Sequence, residues 1–216
     1  FTNILNRKER TISRDLSESK TFIRYPEAIG IAHAVLNSKY PFMNTIVSSR
    51  KPFGLATNAP IKEHGEIGVR YNGGLGKIDR TDVTTNADMI NKWKVIISYV
   101  SAEHAGQPDK NGQWKILSTV EILPPGVVCT ETYLLAGVFD DEKQASNLVQ
   151  YLKTKFVRFL IAIVTSTQHI TKSSFSFVPS VDFTKKWDDQ DLYKKFNLDQ
   201  MQIDFIESII RTFEGD

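Results

Sequence analysis

Arg50 and Lys51 are two adjacent cations in a segment rich in small hydroxyl residues, and Pro52 and Gly54 follow them closely. Lys and Arg side chains commonly contact phosphate oxygens, and glycine lets a backbone approach a phosphate chain closely. Proline fixes the backbone one residue after this pair. The pattern therefore predicts a loop that contacts the phosphates of a nucleic acid.

Lys77 and Arg80 form a second basic pair, close to a turn signal. The segments 66–71 and 76–80 are typical of two strands, and Asn72-Gly73-Gly74 between them is a strong hairpin signal. The turn would project both cations outward. We expect them on the same side of the domain as Arg50 and Lys51. Phosphate contact is the expected role, although Arg80 could instead pair with guanine.

Residue patterns that would support catalysis are missing from the sequence. The four histidines are scattered without metal-ligand spacing, and no Gly-x-Ser-x-Gly nucleophile elbow occurs. Leu123 stands where a metal-dependent nuclease would need a lysine. The segment 58–61 lacks the second proline and the aromatic residue with which adenine methyltransferases hold a flipped base. We therefore predict no catalytic residue, no metal site and no bound cofactor in this chain.

Composition places the chain among ordinary globular proteins. Its 216 residues are 41% hydrophobic and 24% charged, enough for one good core or two modest lobes. No apolar run approaches the ~18 residues of a membrane span. The single cysteine, Cys129, suits a reducing cytosol, and its apolar surroundings predict a buried, inert thiol. The chain begins with Phe1, as expected for a domain of a longer polypeptide, and we expect a cytoplasmic location.

Charge is distributed unevenly along the chain, although the net charge is only +2. Residues 1–52 contain nine Lys or Arg and four acidic residues, whereas residues 186–216 contain eight acidic residues and four basic ones. A basic N-terminal part and an acidic C-terminal part suit a protein that turns one face toward a polyanion. A solvated surface of mixed charge explains the same pattern.

The stretch from residue 127 to residue 179 predicts a strand–helix–strand unit. Residues 127–139 are β-branched and aromatic, Asp140-Asp141 offers an N-cap, and apolar residues at helical spacing continue to residue 164. A second short strand is predicted at 175–179, where proline ends it. With a last helix at 200–212, the predicted fold is α+β (mixed α/β), a central twisted sheet flanked by helices.

Several segments resemble a known family when they are taken in order. They are SRKPFGL (49–55), WKV (93–95), CTETY (129–133), YLKTKFVRFL (151–160), FVP (177–179) and LYKKFNL (192–198), with the last helix ending at Arg211. Their order and spacing resemble the C-terminal target recognition region of adenine-specific DNA methyltransferases. These enzymes belong to bacterial type II restriction–modification systems, and some are fused to an endonuclease. The similarity covers nearly all of the chain from about residue 48.

The resemblance implies that residues 48–216 are a target recognition domain, with residues 1–47 forming a basic connection and a helix. It implies sequence-specific binding of double-stranded DNA and a methyltransferase domain upstream in the same polypeptide. That upstream domain would bind S-adenosylmethionine (AdoMet), so this chain would be a fragment of a transferase.

In the family, the motif at 153–160 is mainly structural. The resemblance therefore implies that Phe156 and Phe159 lie in the core. It places Lys153, Lys155 and Arg158 on the surface, and Lys153 and Arg158 are further candidate DNA contacts.

Two other classes of function remain open at this stage. One is a structural or subunit-docking module of the same enzyme system, and the other is a free-standing enzyme, for which no site is found. A DNA-binding domain needs the basic residues of 1–80 on one concave surface, whereas a docking module needs a large exposed apolar patch.

Overall fold

A computed structural model describes residues 2–5, 8–11, 23, 25–103 and 108–213. The described residues form eight strands: β1 (Thr2–Leu5), β2 (Lys8–Thr11), β3 (Ile67–Tyr71), β4 (Gly74–Ile78), β5 (Trp93–Ser98), β6 (Val120–Leu123), β7 (Val127–Cys129) and β8 (Tyr133–Phe139). They also form five α-helices: α1 (Ala28–Leu36), α2 (Glu142–Lys153), α3 (Lys155–Val164), α4 (Asp189–Lys195) and α5 (Gln200–Ile209). This content confirms the predicted α+β class.

Two three-stranded sheets carry most of the strand structure. One has the order β6–β5–β8 and is antiparallel throughout. The other has the order β4–β3–β7, in which β3 pairs antiparallel with β4 and parallel with β7. Strands β1 and β2 pair only with each other among the described residues.

The β6–β5–β8 sheet separates two hydrophobic clusters because successive side chains of a strand point to opposite faces. In β8, Leu134 and Ala136 belong to a large cluster shared with the helices, whereas Tyr133 and Leu135 belong to a smaller cluster. The smaller cluster also contains residues of β3, β4 and β7. The molecule is therefore layered, with a helical layer, a central sheet and a small outer sheet.

The hairpin predicted around Asn72-Gly73 is confirmed. Tyr71 pairs with Gly74, which leaves Asn72 and Gly73 as a two-residue loop. Gly74 has φ of 132°, a conformation that residues with a Cβ atom rarely adopt. Local turn chemistry is sufficient to fix this element.

The single strand predicted over 127–139 is two strands in two different sheets. β7 pairs with β3 of the outer sheet, and β8 pairs with β5 of the central sheet. The three residues between them cross from one sheet to the other, with the Thr130 N–H donating to the Arg70 carbonyl at 3.1 Å and Tyr133 donating back to Thr130. An apolar run does not show where a strand changes its partner.

The helix predicted over 141–164 is divided at Thr154, which has ψ of 150°. Asp141 caps the first half as expected. Thr154 Oγ1 donates to the Tyr151 carbonyl at 2.7 Å and accepts from the Val157 N–H at 3.3 Å, so Thr154 ends α2 and caps α3. The apolar residues keep the same helical spacing before and after Thr154, so the sequence pattern does not reveal that the helix ends there.

The second strand of the predicted strand–helix–strand unit, at 175–179, is wrong. Residues Lys172–Phe175 form a 3₁₀ helix with a capping box between Thr171 and Ser174. Within 175–179, β pairing is limited to an isolated bridge between Phe42 and Pro179. Thr171 and Ser174 satisfy backbone groups locally, which favours the tighter turn.

The predicted core positions Phe156 and Phe159 are confirmed, since both are fully buried. Residues of α1 pack in the same cluster as α3 and α5. Tyr25, just before α1, contacts Phe205 of α5 edge to face at 5.8 Å. The boundary predicted at residue 47 stays a prediction.

Lys94 of β5 is fully buried, and its Nζ donates to the carbonyls of Met89, Ile90 and Lys92 at 3.2, 2.7 and 2.7 Å. Burial lowers the pKa of Lys94 to about 8, against about 10.4 in an unfolded chain. Between these values the unfolded state binds more protons, so a higher pH favours folding.

We expect the stability of the wild type relative to Lys94→Met to rise between pH 8 and pH 10.4, by up to about 3 kcal/mol. Urea unfolding of both proteins at half-unit pH steps measures this difference. A difference that stays flat or falls over this range would contradict the assignment.

Candidate nucleic-acid interface

The loop that carries Arg50 and Lys51 is a tight turn over a buried anchor. Phe53 is fully buried beneath it. Lys51 and Gly54 have φ of 60° and 79°, and the Gly54 N–H donates to the Lys51 carbonyl at 3.0 Å. A Cβ atom on Gly54 would lie 1.8 Å from Thr84 Oγ1, so this position requires glycine.

A neighbouring segment holds the same loop in place. The Pro52 carbonyl accepts from Thr85 Oγ1 at 3.1 Å and from Asn86 Nδ2 at 2.6 Å. The Thr84 N–H donates to the Phe53 carbonyl at 3.3 Å. The backbone under the two cations is therefore fixed before any ligand binds, which lowers the entropic cost of binding.

Glu131, in the connection between β7 and β8, forms ion pairs with both cations of the loop. Its Oε2 lies 3.3 Å from Arg50 Nε and 3.7 Å from Lys51 Nζ, and the side chains of Arg50 and Lys51 are 54% and 48% exposed. The pKa of Glu131 is lowered, first by the Thr57 N–H that donates to it and then by the two cations. One carboxylate orients two cations and leaves a net positive charge facing solvent.

Arg50 also takes part in a stack that the sequence analysis missed. Its guanidinium carbon lies 4.8 Å from the ring centroid of Tyr99, and Tyr99 stacks on His169 with centroids 4.6 Å apart and planes at 23°. Residues 50, 99 and 169 are far apart in sequence, so no local pattern links them. Stacked cationic and aromatic groups are suited to contact with nucleic-acid bases as well as phosphates.

Lys77 and Arg80 are both exposed, and neither forms an ion pair within the described part of the chain. Nearby Asp79 and Asp82 are instead occupied by Lys62, whose pKa they raise mainly by accepting hydrogen bonds. The acidic neighbours of Arg80 are therefore already neutralised, which leaves its guanidinium available.

The two basic pairs belong to the same side of the central sheet. Phe53, below the loop, and Ile78, between Lys77 and Arg80, both lie in the smaller hydrophobic cluster. Arg80 begins a short 3₁₀ helix, Arg80–Asp82, and residues 84–86, which donate hydrogen bonds to the loop, follow that helix directly. The expectation that all four cations point to one ligand stays a prediction.

Lys153 and Arg158 lie elsewhere, on the helical side of the central sheet. The prediction that Arg158 is a surface residue is wrong, because its side chain is fully buried. Its Nε donates to the carbonyls of Lys153 and Thr154, both at 3.2 Å, where α2 ends. Carbonyls at a helix C-terminus lack intrahelical partners, and Arg158 supplies donors for them. Lys153 is half-buried, with Nζ 4.9 Å from the ring centroid of Phe213.

Cys129 is a buried free thiol, as predicted. Burial raises its pKa well above the ordinary range, which leaves the sulfur protonated and unreactive. Among the described residues, no group of three or more His, Cys, Asp or Glu side chains is arranged to hold a metal ion. No helix in the described part of the chain is long and apolar enough to cross a membrane.

Comparison of the chain with protein-family models and with curated proteins gives no match.

Removing the charge of Glu131 while keeping its shape should strengthen binding to any anion at this site. In Glu131→Gln, the amide oxygen can still accept from Thr57, but Arg50 and Lys51 lose a competing carboxylate. We expect affinity for duplex DNA to rise roughly two- to fivefold, since an exposed ion pair is worth up to about 1 kcal/mol. Fluorescence anisotropy measures the change, and unchanged or weaker binding would contradict the view that Glu131 competes with the ligand for the two cations.

Proposed function

We propose that this chain binds double-stranded DNA in a sequence-specific manner, as the target recognition domain of an adenine-specific methyltransferase of a restriction–modification system. The observation that supports this most is the fixed loop that carries Arg50 and Lys51. Both cations form ion pairs with Glu131, and Arg50 also stacks on Tyr99, which in turn stacks on His169. This arrangement offers positive charge and an aromatic surface on a backbone that is already fixed before a ligand binds. In this proposal AdoMet binding and methyl transfer belong to an upstream domain.

In this proposal, some of the cations position the domain on the DNA backbone and another reads a base. Arg50 and Lys51 are the proposed phosphate contacts, because two adjacent cations on a tight turn can follow a backbone but cannot identify a base. Arg80 is the proposed base contact, since an unpaired guanidinium can donate two parallel hydrogen bonds to guanine. Lys77 would add a further phosphate contact.

The alternative, a subunit-docking module, would need a continuous exposed apolar patch. Among the described residues, Leu75 and Met201 are the most exposed large apolar side chains, at 72% and 80%. Leu75 lies on β4 of the outer sheet and Met201 on α5 of the helical layer, so they do not form one patch.

Arg80→Ala should lose discrimination at one base pair, by about 1–3 kcal/mol, with a smaller loss of affinity for scrambled DNA. The measurement uses a duplex that the 216-residue chain selects from a random pool, together with single-substitution versions of it. Lys77→Ala is the matched control and should weaken binding to all duplexes alike. Equal losses on specific and scrambled DNA in Arg80→Ala would reduce Arg80 to a phosphate contact.

A further inference from the structure

Leu75 of β4 has an unusually exposed apolar side chain. It is 72% exposed, more than any other large apolar residue in the described part of the chain except Met201. Burial of a leucine stabilises a fold, so the folding of this domain gains little from the Leu75 side chain. Single apolar residues are common on protein surfaces, and the neighbours of Leu75 decide whether it marks a contact.

Leu75 and Lys77 project from the solvent-facing side of the outer sheet. Side chains alternate along a strand, and Ile78 of β4 is fully buried in the smaller cluster. Residues 75 and 77 therefore lie on the opposite face, where both are exposed. They are about 7 Å apart along the strand. An apolar side chain and a cation thus share one exposed surface.

The neighbouring strand β3 leaves this surface open. On this face Lys77 pairs with Gly68, which has no side chain, and Leu75 pairs with Arg70. The Nε and Nη2 atoms of Arg70 donate to Glu121 of β6 at 2.9 and 3.0 Å, so its guanidinium is anchored to the central sheet. Neither residue of β3 covers Leu75.

The charge around Leu75 indicates an anionic partner. Lys77 and Arg80 are exposed and form no ion pair within the described part of the chain. Asp79, which follows Lys77 on the same face, is already bound by Lys62. An apolar side chain beside unpaired cations suits duplex DNA, which presents methyl groups between two rows of phosphates.

The turn end of the hairpin is narrow enough for the major groove of DNA. β7 pairs with β3 only as far as Arg70, so residues 71–74 form a projection two strands wide, and Leu75 follows it directly. The major groove of B-DNA is about 12 Å wide and admits a two-stranded β-ribbon. With the turn in the groove, Leu75 reaches base edges while Lys77 stays near the flanking phosphates.

We propose that Leu75 is a specificity-determining residue that contacts the C5-methyl group of a thymine in the major groove. This inference rests on the proposed function and adds to it a base that the cations do not read. The thymine methyl is the apolar group that base edges present in the major groove. Because leucine cannot hydrogen-bond, the donors and acceptors of the other bases give it nothing to bind.

The test uses the duplex that the 216-residue chain selects from a random pool, with each thymine replaced in turn by deoxyuridine. This replacement removes the methyl group and keeps the base pair. We expect one replacement to weaken binding about fourfold, the equivalent of about 0.8 kcal/mol for one buried carbon. The other replacements should leave the affinity unchanged. Fluorescence anisotropy at 0.1 M salt measures each affinity.

Leu75→Ala should bind the unmodified duplex about fourfold more weakly and should no longer respond to that replacement. Because Leu75 is so exposed, this variant should fold. Met201→Ala, which shortens the other highly exposed apolar side chain, is the matched control. It should keep both the affinity of the wild type and its response to deoxyuridine.

Three results would overturn this inference while leaving sequence-specific binding intact. They are a selected motif without an invariant thymine, a motif in which no deoxyuridine weakens binding, and an equal response to deoxyuridine in the wild type and in Leu75→Ala. Failure to select any motif would instead contradict the proposed function, and this inference with it.

Discussion

Duplex DNA should bind the Arg50→Ala, Lys51→Ala double variant about 60-fold more weakly than it binds the wild type at 0.1 M salt. Each neutralised phosphate releases about 0.9 counterion, which contributes about 1.2 kcal/mol at this salt concentration. Two lost contacts therefore account for about 2.5 kcal/mol and should flatten the slope of log K against log salt by about 1.8. The loss should be similar for specific and scrambled duplexes, because both side chains are expected on phosphates.

The geometry of the loop makes the double variant informative. It leaves Glu131 without its two ion-pair partners, so a carboxylate would then face the DNA and could increase the loss beyond two contacts. The matched control is Lys172→Ala with Lys194→Ala, which removes the same charge from exposed positions on the helical side. An unchanged salt slope in the loop variant would remove this loop from the interface.

Phe156→Ala should lower the free energy of unfolding by about 3–5 kcal/mol, the usual cost of emptying a buried aromatic site. Phe156 is fully buried, stacks on Phe196 with centroids 5.2 Å apart and meets Tyr193 edge to face at 6.2 Å. Alanine would leave a cavity between α3 and α4 that two other rings cannot fill without moving.

Urea unfolding measures this loss, with Met201→Ala as the control. Met201 is 80% exposed on α5, so its truncation should change stability by no more than about 0.5 kcal/mol. A loss of less than about 1 kcal/mol in Phe156→Ala, well below the usual cost of emptying a core aromatic site, would mean that the packing of α3 is assigned wrongly.

Features that depend on neighbouring residues were predictable from the sequence. Asn72-Gly73 specified a two-residue hairpin, and Asp140-Asp141 specified the N-cap that Asp141 provides to α2. The apolar residues at helical spacing that continue to residue 164 include Phe156, in agreement with the core position that the resemblance implied. In each case, residues within about four positions carry the whole signal.

Features that depend on distant partners were not predictable in this way. The burial of Arg158 follows from carbonyls at the end of α2, which exist only because Thr154 divides the predicted helix. The stack of Arg50, Tyr99 and His169 joins three segments that the fold alone brings together. Such contacts depend on tertiary packing, and the local pattern of a single sequence gives no sign of them.

Selection of duplexes from a random-sequence pool by the 216-residue chain tests the central proposal most directly. The bound fraction would be sequenced, and affinities for the enriched and scrambled duplexes would be compared at 0.1 M salt. Sequence-specific recognition predicts enrichment of one motif, bound at least about 1,000-fold more tightly than scrambled DNA. The loop double variant should recover the same motif with lower affinity. Equal affinity for all duplexes, or no enrichment after repeated rounds, would contradict a role in target recognition.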